Sequence, residues 1–206
     1  MKKLIIATGN KGKYSEFVNI IGNFADEIIF APEIAKMIVD ETGKTYAENA
    51  MLKARAWAEK SGLPCLADDS GLEVEALDGA PGLYSARIIP GNDEDKVSWL
   101  LSKLEGKINR NARFAAALAL CVPGKFTLIC EGECKGVIAT SQSGKNGFGY
   151  DPVFIPDGFN LTFAELSSDI KNKISHRADA FRKIREFVKI QMVQDECELF
   201  SRNFVR

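Results

Sequence analysis

The sequence is poor in the two residue types that most often build metal centres and covalent crosslinks. Its 206 residues include one histidine, His176, and five cysteines. An odd number of cysteines without paired spacing does not indicate a disulfide framework, and one histidine among scattered thiols does not indicate a zinc site. We therefore interpret the cysteines as reduced thiols, which are typical of the cytoplasm.

The sequence also lacks an excess of either charge and any long hydrophobic segment. It has 27 lysines and arginines against 28 aspartates and glutamates, a formal net charge of -1. Proteins that coat nucleic acid usually carry a basic excess, so this balance argues against a nucleic-acid partner. The apolar residues 4–7 are too few for a signal sequence, and no run approaches the roughly 18 apolar residues of a membrane span. We predict a cytoplasmic protein without a membrane segment.

Hydrophobic periodicity predicts a mixed α/β protein, in which some strands alternate with helices and others form hairpins. Apolar residues at helical spacing, preceded by turn or capping residues, predict the helices, at residues 14–21, 45–61, 92–104 and from 175 onward. Short apolar segments predict the strands, at residues 4–7, 28–30, 64–67, 114–122 and 126–138, the last with a turn or bulge at 131–133. We interpret residues 1–206 as one domain, in which 195–206 form a weakly patterned extension or a partner contact.

The first group of functional candidates follows the first predicted strand: Thr8, Gly9, Asn10, Lys11, Gly12 and Lys13. A strand, a glycine-containing turn and a helix present backbone N–H groups to an anion. Hydroxyl, carboxamide and ammonium groups in the same six residues add the donors and cations that a triphosphate needs. The alternative is an ordinary strand-to-helix turn with lysines in solvent.

Two pairs of acidic residues form the second group. Asp68 and Asp69 follow an apolar strand and precede Ser70, at the edge where α/β sheets bind ligands. Carboxylates together with substrate phosphates are the usual ligands of magnesium. Asp40 and Glu41 form the other pair, which either contributes a metal ligand or belongs to a solvated loop. For the first pair, the alternative is an Asp-Ser turn with capping chemistry.

Two later segments supply aromatic and basic groups. In residues 147–152, glycines flank Phe148, whose ring can stack on a base, a contact worth roughly 1–3 kcal/mol. Residues 171–177 bring cations, a hydroxyl and His176 to a helix start, where His176 and Arg177 offer donors to carbonyl oxygens and ring nitrogens. The alternatives are a glycine-rich loop with a packed phenylalanine and a capped helix with exposed basic residues.

These segments, in this order, resemble the inosine triphosphate pyrophosphatase family, also called dITP/XTP pyrophosphatases. The resemblance covers about residues 1–190 and is carried by several segments, namely 7–13, 41–43, 48–54, 67–72, 79–87, 147–152 and 174–177. It implies an elongated two-lobed fold around a long mixed sheet with flanking helices, a substrate cleft between the lobes, and a homodimer. It also implies magnesium-dependent hydrolysis of ITP, dITP and XTP to the monophosphate and pyrophosphate.

The resemblance assigns roles to individual residues. Glu41 and Asp69 would hold magnesium, and Asp69 would be the general base for water. The remaining residues would bind the substrate: Thr8, Gly9, Asn10, Lys11, Gly12, Lys13, Lys53, Ser70, Phe148, Gly149, Tyr150, Asp151, Lys171, His176 and Arg177. The sequence departs from the family pattern at Asn146, where glycine is common, and in the tail from residue 195.

Two alternatives remain. Maf-type nucleotide pyrophosphatases resemble this family but carry a Ser-Pro-Arg-Arg loop after the first strand, where this sequence has Thr8, Gly9, Asn10 and Lys11. A nucleotide-binding module without turnover would keep the phosphate loop and the base pocket. Such a module would not need paired acids beside the phosphates, so these acids favour an enzyme.

Overall fold

A computed structural model describes the backbone of residues 1–203 and the side chains of residues 1–191. Its six strands belong to one sheet in the order β2-β1-β3-β4-β5-β6. The strands are β1 Lys3–Ala7, β2 Glu27–Phe30, β3 Cys65–Val74, β4 Asn111–Val122, β5 Phe126–Ile138 and β6 Phe154–Pro156. The helices are α1 Lys11–Ile21, α2 Ala31–Ile34, α3 Tyr46–Ser61, α4 Asp93–Lys103, α5 Ser168–Ile174 and α6 His176–Asn203.

The sheet has a parallel end and an antiparallel end. β1 pairs in parallel with β2 and β3, whereas the β3–β4, β4–β5 and β5–β6 pairs are antiparallel. Helices flank the sheet, so the predicted mixed α/β fold is confirmed.

β3 is longer than the sequence predicted. The expected strand ends at residue 67, but β3 continues to Val74 because Asp68 to Val74 pair with β4. The turn-forming residues at 68–71 are thus overridden by long-range pairing. The parallel ladder with β1 nevertheless stops at Ala7 and Ala67. Beyond that point β3 has no β1 neighbour, and this open edge is where the candidate site lies.

β5 is one continuous strand, so the expected turn at residues 131–133 is wrong. Gly132 serves helix packing instead. A Cβ on Gly132 would lie 2.3 Å from the carbonyl oxygen of His176 and 2.4 Å from the amide nitrogen of Ala180. The glycine therefore lets the first turn of α6 approach the sheet closely.

Two helical features also differ from expectation. Residues 171–174 belong to a separate short helix, α5, which the sequence did not predict, and Ser175 is extended between α5 and α6. α6 continues to Asn203, so residues 195–203 are helical rather than a loose extension, and 204–206 lie outside the described residues.

The start of α3 differs from a capping box. The Thr45 side chain accepts from the Glu48 N–H at 3.1 Å. Glu48 accepts from the N–H of Lys44 instead of completing a capping box.

Strand alternation divides the core. Even-numbered residues of β3 and β4, such as Leu66 and Leu118, pack against α1 and α6. Odd-numbered residues, such as Ala67 and Ala117, pack against α3. A third cluster around Phe114, with α4 and β6, fills the antiparallel end. The parallel end of the sheet thus has one core cluster on each face, and the antiparallel end has a third cluster.

Two further findings concern the described residues only. No helix among them is long and apolar enough to cross a membrane. The cysteines whose side chains are described are free thiols: Cys65, Cys121, Cys130 and Cys134. The side chain of Cys197 lies outside the described part.

Candidate active site

A cleft opens between the two ends of the sheet, where β1 stops and β3 continues. Its lining gathers predicted site residues from distant segments, namely Asn10, Lys13, Ser70, Phe148, Gly149, Tyr150, Asp151, His176 and Arg177. The same lining includes Leu72, Ser85, Asp93, Lys96 and Phe114. A larger apolar groove beside Phe24, Phe126 and Phe187 contains none of the predicted site residues. The convergence of polar groups therefore identifies the cleft as the candidate site.

One end of the cleft is built by the start of α1. Asn10 is the N-cap, because its side chain accepts from the Lys13 N–H at 3.0 Å. The Asn10 N–H in turn donates to Thr8 Oγ1 at 3.1 Å. Lys11 is exposed, and a Cβ on Gly9 would meet no heavy atom within 4 Å. An open helix N-terminus of this kind favours an anion.

Asp68 lies beneath this helix start and neutralises two buried cations. Its carboxylate is 2.6 Å from Lys13 Nζ and 3.4 Å from Arg177 Nε. It also accepts from Ser70 Oγ at 3.1 Å. Burial opposes ionisation, but Arg177 and Lys13 outweigh it and hold the pKa of Asp68 well below its usual range. Asp68 thus pairs with two protein cations in this structure.

Further buried ion pairs extend this network to the other side of the cleft. Arg177 donates to Glu16 at 3.0 Å and to Ser70 Oγ at 2.7 Å. Lys171 contacts both Glu16 and Asp151. Lys171 therefore lies behind the cleft wall, where its ammonium group connects Glu16 to Asp151. Three cations face three carboxylates, so the buried charges balance.

Asp69 points to the opposite face of β3, toward α3. Its Oδ2 accepts from Asn49 Nδ2 at 3.0 Å, and its Oδ1 lies 3.4 Å from Lys53 Nζ. Lys53 also binds Glu41 Oε1 at 2.6 Å and the carbonyl oxygen of Asp68 at 2.7 Å. Burial raises the pKa of Asp69 despite the nearby Lys53 cation.

Glu41 joins the same cluster. Arg87 donates to its Oε2 at 2.9 Å. Burial would raise the pKa of Glu41, but Lys53 and Arg87 lower it. Asp40, the neighbouring acid, is exposed.

The cluster fits a divalent cation completed by substrate. Two carboxylates, from Glu41 and Asp69, converge on one ammonium group, that of Lys53, so this position already favours positive charge. No group of three or more metal-binding side chains occurs among the described residues. Magnesium usually takes only one or two carboxylates and completes its shell with water and phosphate oxygens, so the pair is sufficient.

Phe148 forms the aromatic wall of the cleft and is held from several sides. Its N–H donates to Asp151 Oδ2 at 2.9 Å, and Lys171 Nζ lies 4.9 Å from the ring centroid. The ring also covers Gly12, where a Cβ would lie 2.6 Å from it. The next residue, Gly149, donates its N–H to Asp93 at 2.7 Å.

Tyr150 also lines the cleft, and its hydroxyl donates to the carbonyl oxygen of Ser85 at 3.0 Å. Burial raises the pKa of the Tyr150 hydroxyl well above its usual range. The hydroxyl therefore stays protonated and keeps this hydrogen bond.

His176 is the most unusual polar group of the cleft. Its side chain is buried and stacks on Phe114, with centroids 4.9 Å apart and an interplanar angle of 11°. Neither ring nitrogen has a hydrogen-bond partner within the part of the chain that the structure describes. Burial and the adjacent Arg177 hold the pKa of His176 well below its ordinary value. A neutral imidazole with one unused donor and one unused acceptor can recognise a polar ligand edge.

Sequence reasoning assigned no role to Glu16, Asn49 and Arg87, which contact the predicted residues, although segments 48–54 and 79–87 of the resemblance include two of them. Asn49 precedes Lys53 by four residues, a spacing that places both on one helix face. Glu16 lies beside the apolar stripe of α1, where an acid is unexpected. Arg87 is half-exposed in a loop, and no local pattern indicates its contact with Glu41.

The chain is similar to known proteins over most of its length. The sequence model of the Ham1 family matches residues 4–187. A relative from Oceanobacillus iheyensis, named dITP/XTP pyrophosphatase, is 44% identical over 194 residues and covers 91% of this chain and 98% of its own length. One from Haemophilus influenzae with the same name is 45% identical over 190 residues, covering 89% and 97%.

Solved structures give the same result. The Ham1 protein of Staphylococcus aureus superposes with a TM-score of 0.81 at 39% identity, covering 92% of this chain and 100% of its own. The nucleoside-triphosphatase / dITP/XTP pyrophosphatase of Mycobacterium abscessus has a TM-score of 0.69 at 37% identity, covering 88% and 98%.

Proposed function

The chain belongs to the Ham1 family, and we propose that it hydrolyses the non-standard purine nucleotides ITP, dITP and XTP to the monophosphate and pyrophosphate. Its curated relatives are named dITP/XTP pyrophosphatases. The observation that carries the proposal is the unpartnered, buried His176 in the same cleft as the cationic start of α1. One end of the cleft suits phosphates, and the other suits a purine.

The start of α1 binds the triphosphate in this proposal. Thr8, Gly9, Asn10, Lys11, Gly12 and Lys13 supply the N–H groups, polar side chains and cations. Lys53 reaches the phosphates from α3, and Ser70 contacts them from β3. These groups hold the α-phosphorus beside Asp69.

Asp69 removes the proton from the attacking water. Burial raises the pKa of Asp69, and a stronger base takes up this proton more readily. The water oxygen bonds to the α-phosphorus, the bond to the bridging oxygen breaks, and pyrophosphate leaves with the electron pair of that bond. Magnesium, held by Glu41 and Asp69, would neutralise negative charge on the phosphates.

The base is selected at the other end of the cleft. Hypoxanthine and xanthine present an O6 acceptor and an N1–H donor, whereas adenine presents the reverse pattern. His176 and Arg177 donate to O6, whereas adenine would place its N6 amino group, also a donor, against Arg177, which lowers its reactivity by several orders of magnitude. Phe148 and Gly149 cover the ring. Guanine shares O6 and N1–H, so we assign its exclusion to the backbone of Tyr150 and Asp151 near C2.

The test is product identification with ITP, magnesium and the purified protein. We expect IMP and pyrophosphate, with much slower turnover of ATP. Release of orthophosphate and IDP would contradict attack at the α-phosphorus. Binding of ITP without turnover would instead support a nucleotide-binding module, and turnover confined to other nucleotides would support a Maf-type specificity.

We further propose that the protein acts in the cytoplasm as a homodimer and as a single domain, without a nucleic-acid or membrane partner. The near-neutral charge, net -1, supports the absence of a nucleic-acid partner. Sedimentation of the purified protein at micromolar concentration tests the dimer, and a monomer mass with full activity would contradict it.

A further inference from the structure

We propose that Asn49 is a positioning residue of the hydrolytic centre, whose buried amide fixes the Asp69 carboxylate and the turn that carries Glu41 at the same time. This inference rests on the proposed function, because it concerns the residues to which that function assigns the reaction. It adds a residue that touches neither substrate nor metal and acts through two that do.

Both polar atoms of the Asn49 side-chain amide form hydrogen bonds. Asn49 is 1% exposed. Its Nδ2 donates to Asp69 Oδ2 at 3.0 Å, and its Oδ1 accepts from the Gly43 N–H at 2.8 Å. One amide thus joins β3 to the loop before α3, and both hydrogen bonds have ordinary geometry.

The Gly43 turn is packed directly on this amide. A Cβ at Gly43 would lie 2.7 Å from Asn49 Oδ1 and 2.6 Å from Glu48 Cβ. Gly43 follows Glu41 by two residues, so the hydrogen bond to Gly43 limits where Glu41 can lie. Asn49 therefore has the contacts expected of a residue that sets the distance between two carboxylates.

Lys53 completes the arrangement one helical turn later. It contacts the side chains of both Glu41 and Asp69, whereas Asn49 contacts Asp69 and the backbone beside Glu41. Lys53 can exchange these contacts for phosphate oxygens when a nucleotide binds. The Asn49 amide is uncharged and binds one oxygen of Asp69 and the Gly43 N–H, so it does not compete with Lys53 for the phosphates and can keep these contacts during turnover.

Removing the amide should affect the rate more than substrate binding. Asn49→Ala leaves Asp69 Oδ2 without a donor and the Gly43 N–H without an acceptor. Substitution of groups that orient catalytic or metal-binding side chains typically costs about 10–100-fold in activity. We expect a loss of this size in kcat for ITP, with KM changed by less than about threefold, because the phosphate and base contacts lie elsewhere.

The experiment compares Asn49→Ala and Asn49→Asp with wild type and with the control Asn19→Ala. Asn19 is an exposed asparagine whose amide bonds only the Ser15 carbonyl oxygen among the described contacts. Asn49→Asp keeps an acceptor for Gly43 but places an acceptor where Asp69 needs a donor, so it should lose at least as much kcat as alanine. Asn19→Ala should match wild type. Unfolding midpoints and ITP affinity in the presence of a chelator are measured for every variant. Asn49→Asp should lower the midpoint, because it buries a second carboxylate beside Asp69, but it should leave the ITP affinity of the folded protein nearly unchanged.

A double-mutant cycle separates positioning from general damage. Because Asn49 acts in part through Asp69, Asn49→Ala should lower the residual kcat of Asp69→Asn by clearly less than it lowers the kcat of wild type, and the remaining loss reports the contact with the Gly43 turn. Equal losses in both backgrounds, a wild-type kcat in Asn49→Asp, or a weakened ITP affinity with chelator would each overturn the proposal. Failure of the proposed function is distinguishable, because wild type itself would then release no pyrophosphate from ITP.

Discussion

At the residue scale, the two neighbouring aspartates have different roles because they lie on opposite faces of β3. Asp68 points toward α1 and α6, where Lys13 and Arg177 neutralise it. Asp69 points toward α3 and keeps a raised pKa, caused by burial. Strand alternation places adjacent side chains on opposite faces, so Asp68 becomes part of the buried ion network and Asp69, the proposed base, joins Asn49 and Lys53 on the other face.

Asp69→Asn should therefore lower mainly the catalytic rate, and Asp68→Asn mainly the stability. Asp69→Asn removes the base, and we expect kcat to fall by about two orders of magnitude or more while the unfolding midpoint stays near that of wild type. Asp68→Asn leaves Lys13 without its anion and Arg177 with Glu16 alone, which should cost about 3–5 kcal/mol of unfolding free energy. Pyrophosphate release and urea unfolding measure the two effects. Similar stability losses in both variants would contradict these separate roles.

At the element scale, the site depends on the junction between β1 and α1. β1 ends at Ala7, and α1 begins four residues later, so the helix N-terminus faces the open edge of β3. The ring of Phe148 covers this first helical turn at Gly12. The absence of a side chain at Gly12 thus sets how closely the aromatic wall approaches the phosphate end.

Gly12→Ala should widen this gap and impair substrate binding. Its Cβ would lie 2.6 Å from the Phe148 ring, whereas a Cβ at Gly9 would meet no heavy atom within 4 Å. Gly9→Ala therefore adds a Cβ to the same segment without the ring contact. We expect kcat/KM for ITP to fall about tenfold or more in Gly12→Ala, the scale of a displaced stacking contact, and to fall less in Gly9→Ala. Equal effects of both substitutions would show that the ring contact is unimportant.

At the scale of the whole molecule, buried charges join the two ends of the sheet. The cations Lys13, Lys171 and Arg177 face the carboxylates Asp68, Glu16 and Asp151 across α1, β3, α5 and α6. His176 lies at the start of α6, beside Arg177, and its pKa is well below the ordinary value. Folding therefore holds the one histidine in its neutral form.

This neutrality predicts an acid-dependent loss of stability. The unfolded chain binds a proton at His176 as pH falls through its ordinary pKa of 6.5, and the folded chain does not. Unfolding free energy should then decrease as pH falls below about 6.5, with a slope of up to about 1.4 kcal/mol per pH unit from this group. Asp69 and Asp151, whose pKa values burial raises, contribute with the opposite sign.

Comparison of wild type with His176→Gln isolates the histidine. Between pH 7.5 and pH 5.5, wild type should lose about 1 kcal/mol more unfolding free energy than His176→Gln, because glutamine does not titrate. Urea unfolding at several pH values gives this difference. Parallel curves for the two proteins would show that His176 keeps an ordinary pKa in the folded chain.

The sequence by itself determined the features that depend on neighbouring residues. Helical spacing of apolar side chains located α1, α3, α4 and α6 but not the short α2 and α5. Short apolar segments located β1 to β5 but not the three-residue β6. The phosphate loop, the acidic pair and the aromatic loop were recognisable because each lies within a few residues. Their order along the chain carried the family resemblance, which the comparisons confirmed.

Only the tertiary structure decided what depends on distant partners. The pairing of β3 with β4 made the acids part of a strand and assigned Asp68 and Asp69 to opposite faces. Pairing with β4 made β5 continuous through Gly132, where the sequence indicated a turn or bulge, and the glycine let α6 approach the sheet. Asn49 forms hydrogen bonds to Asp69 and Gly43 only because α3, β3 and the loop at Gly43 meet around its side chain. Hydrogen bonds and burial between segments far apart in the chain do not produce a periodic pattern in either segment. The sequence could therefore indicate the candidate reacting groups but not the contacts that orient them.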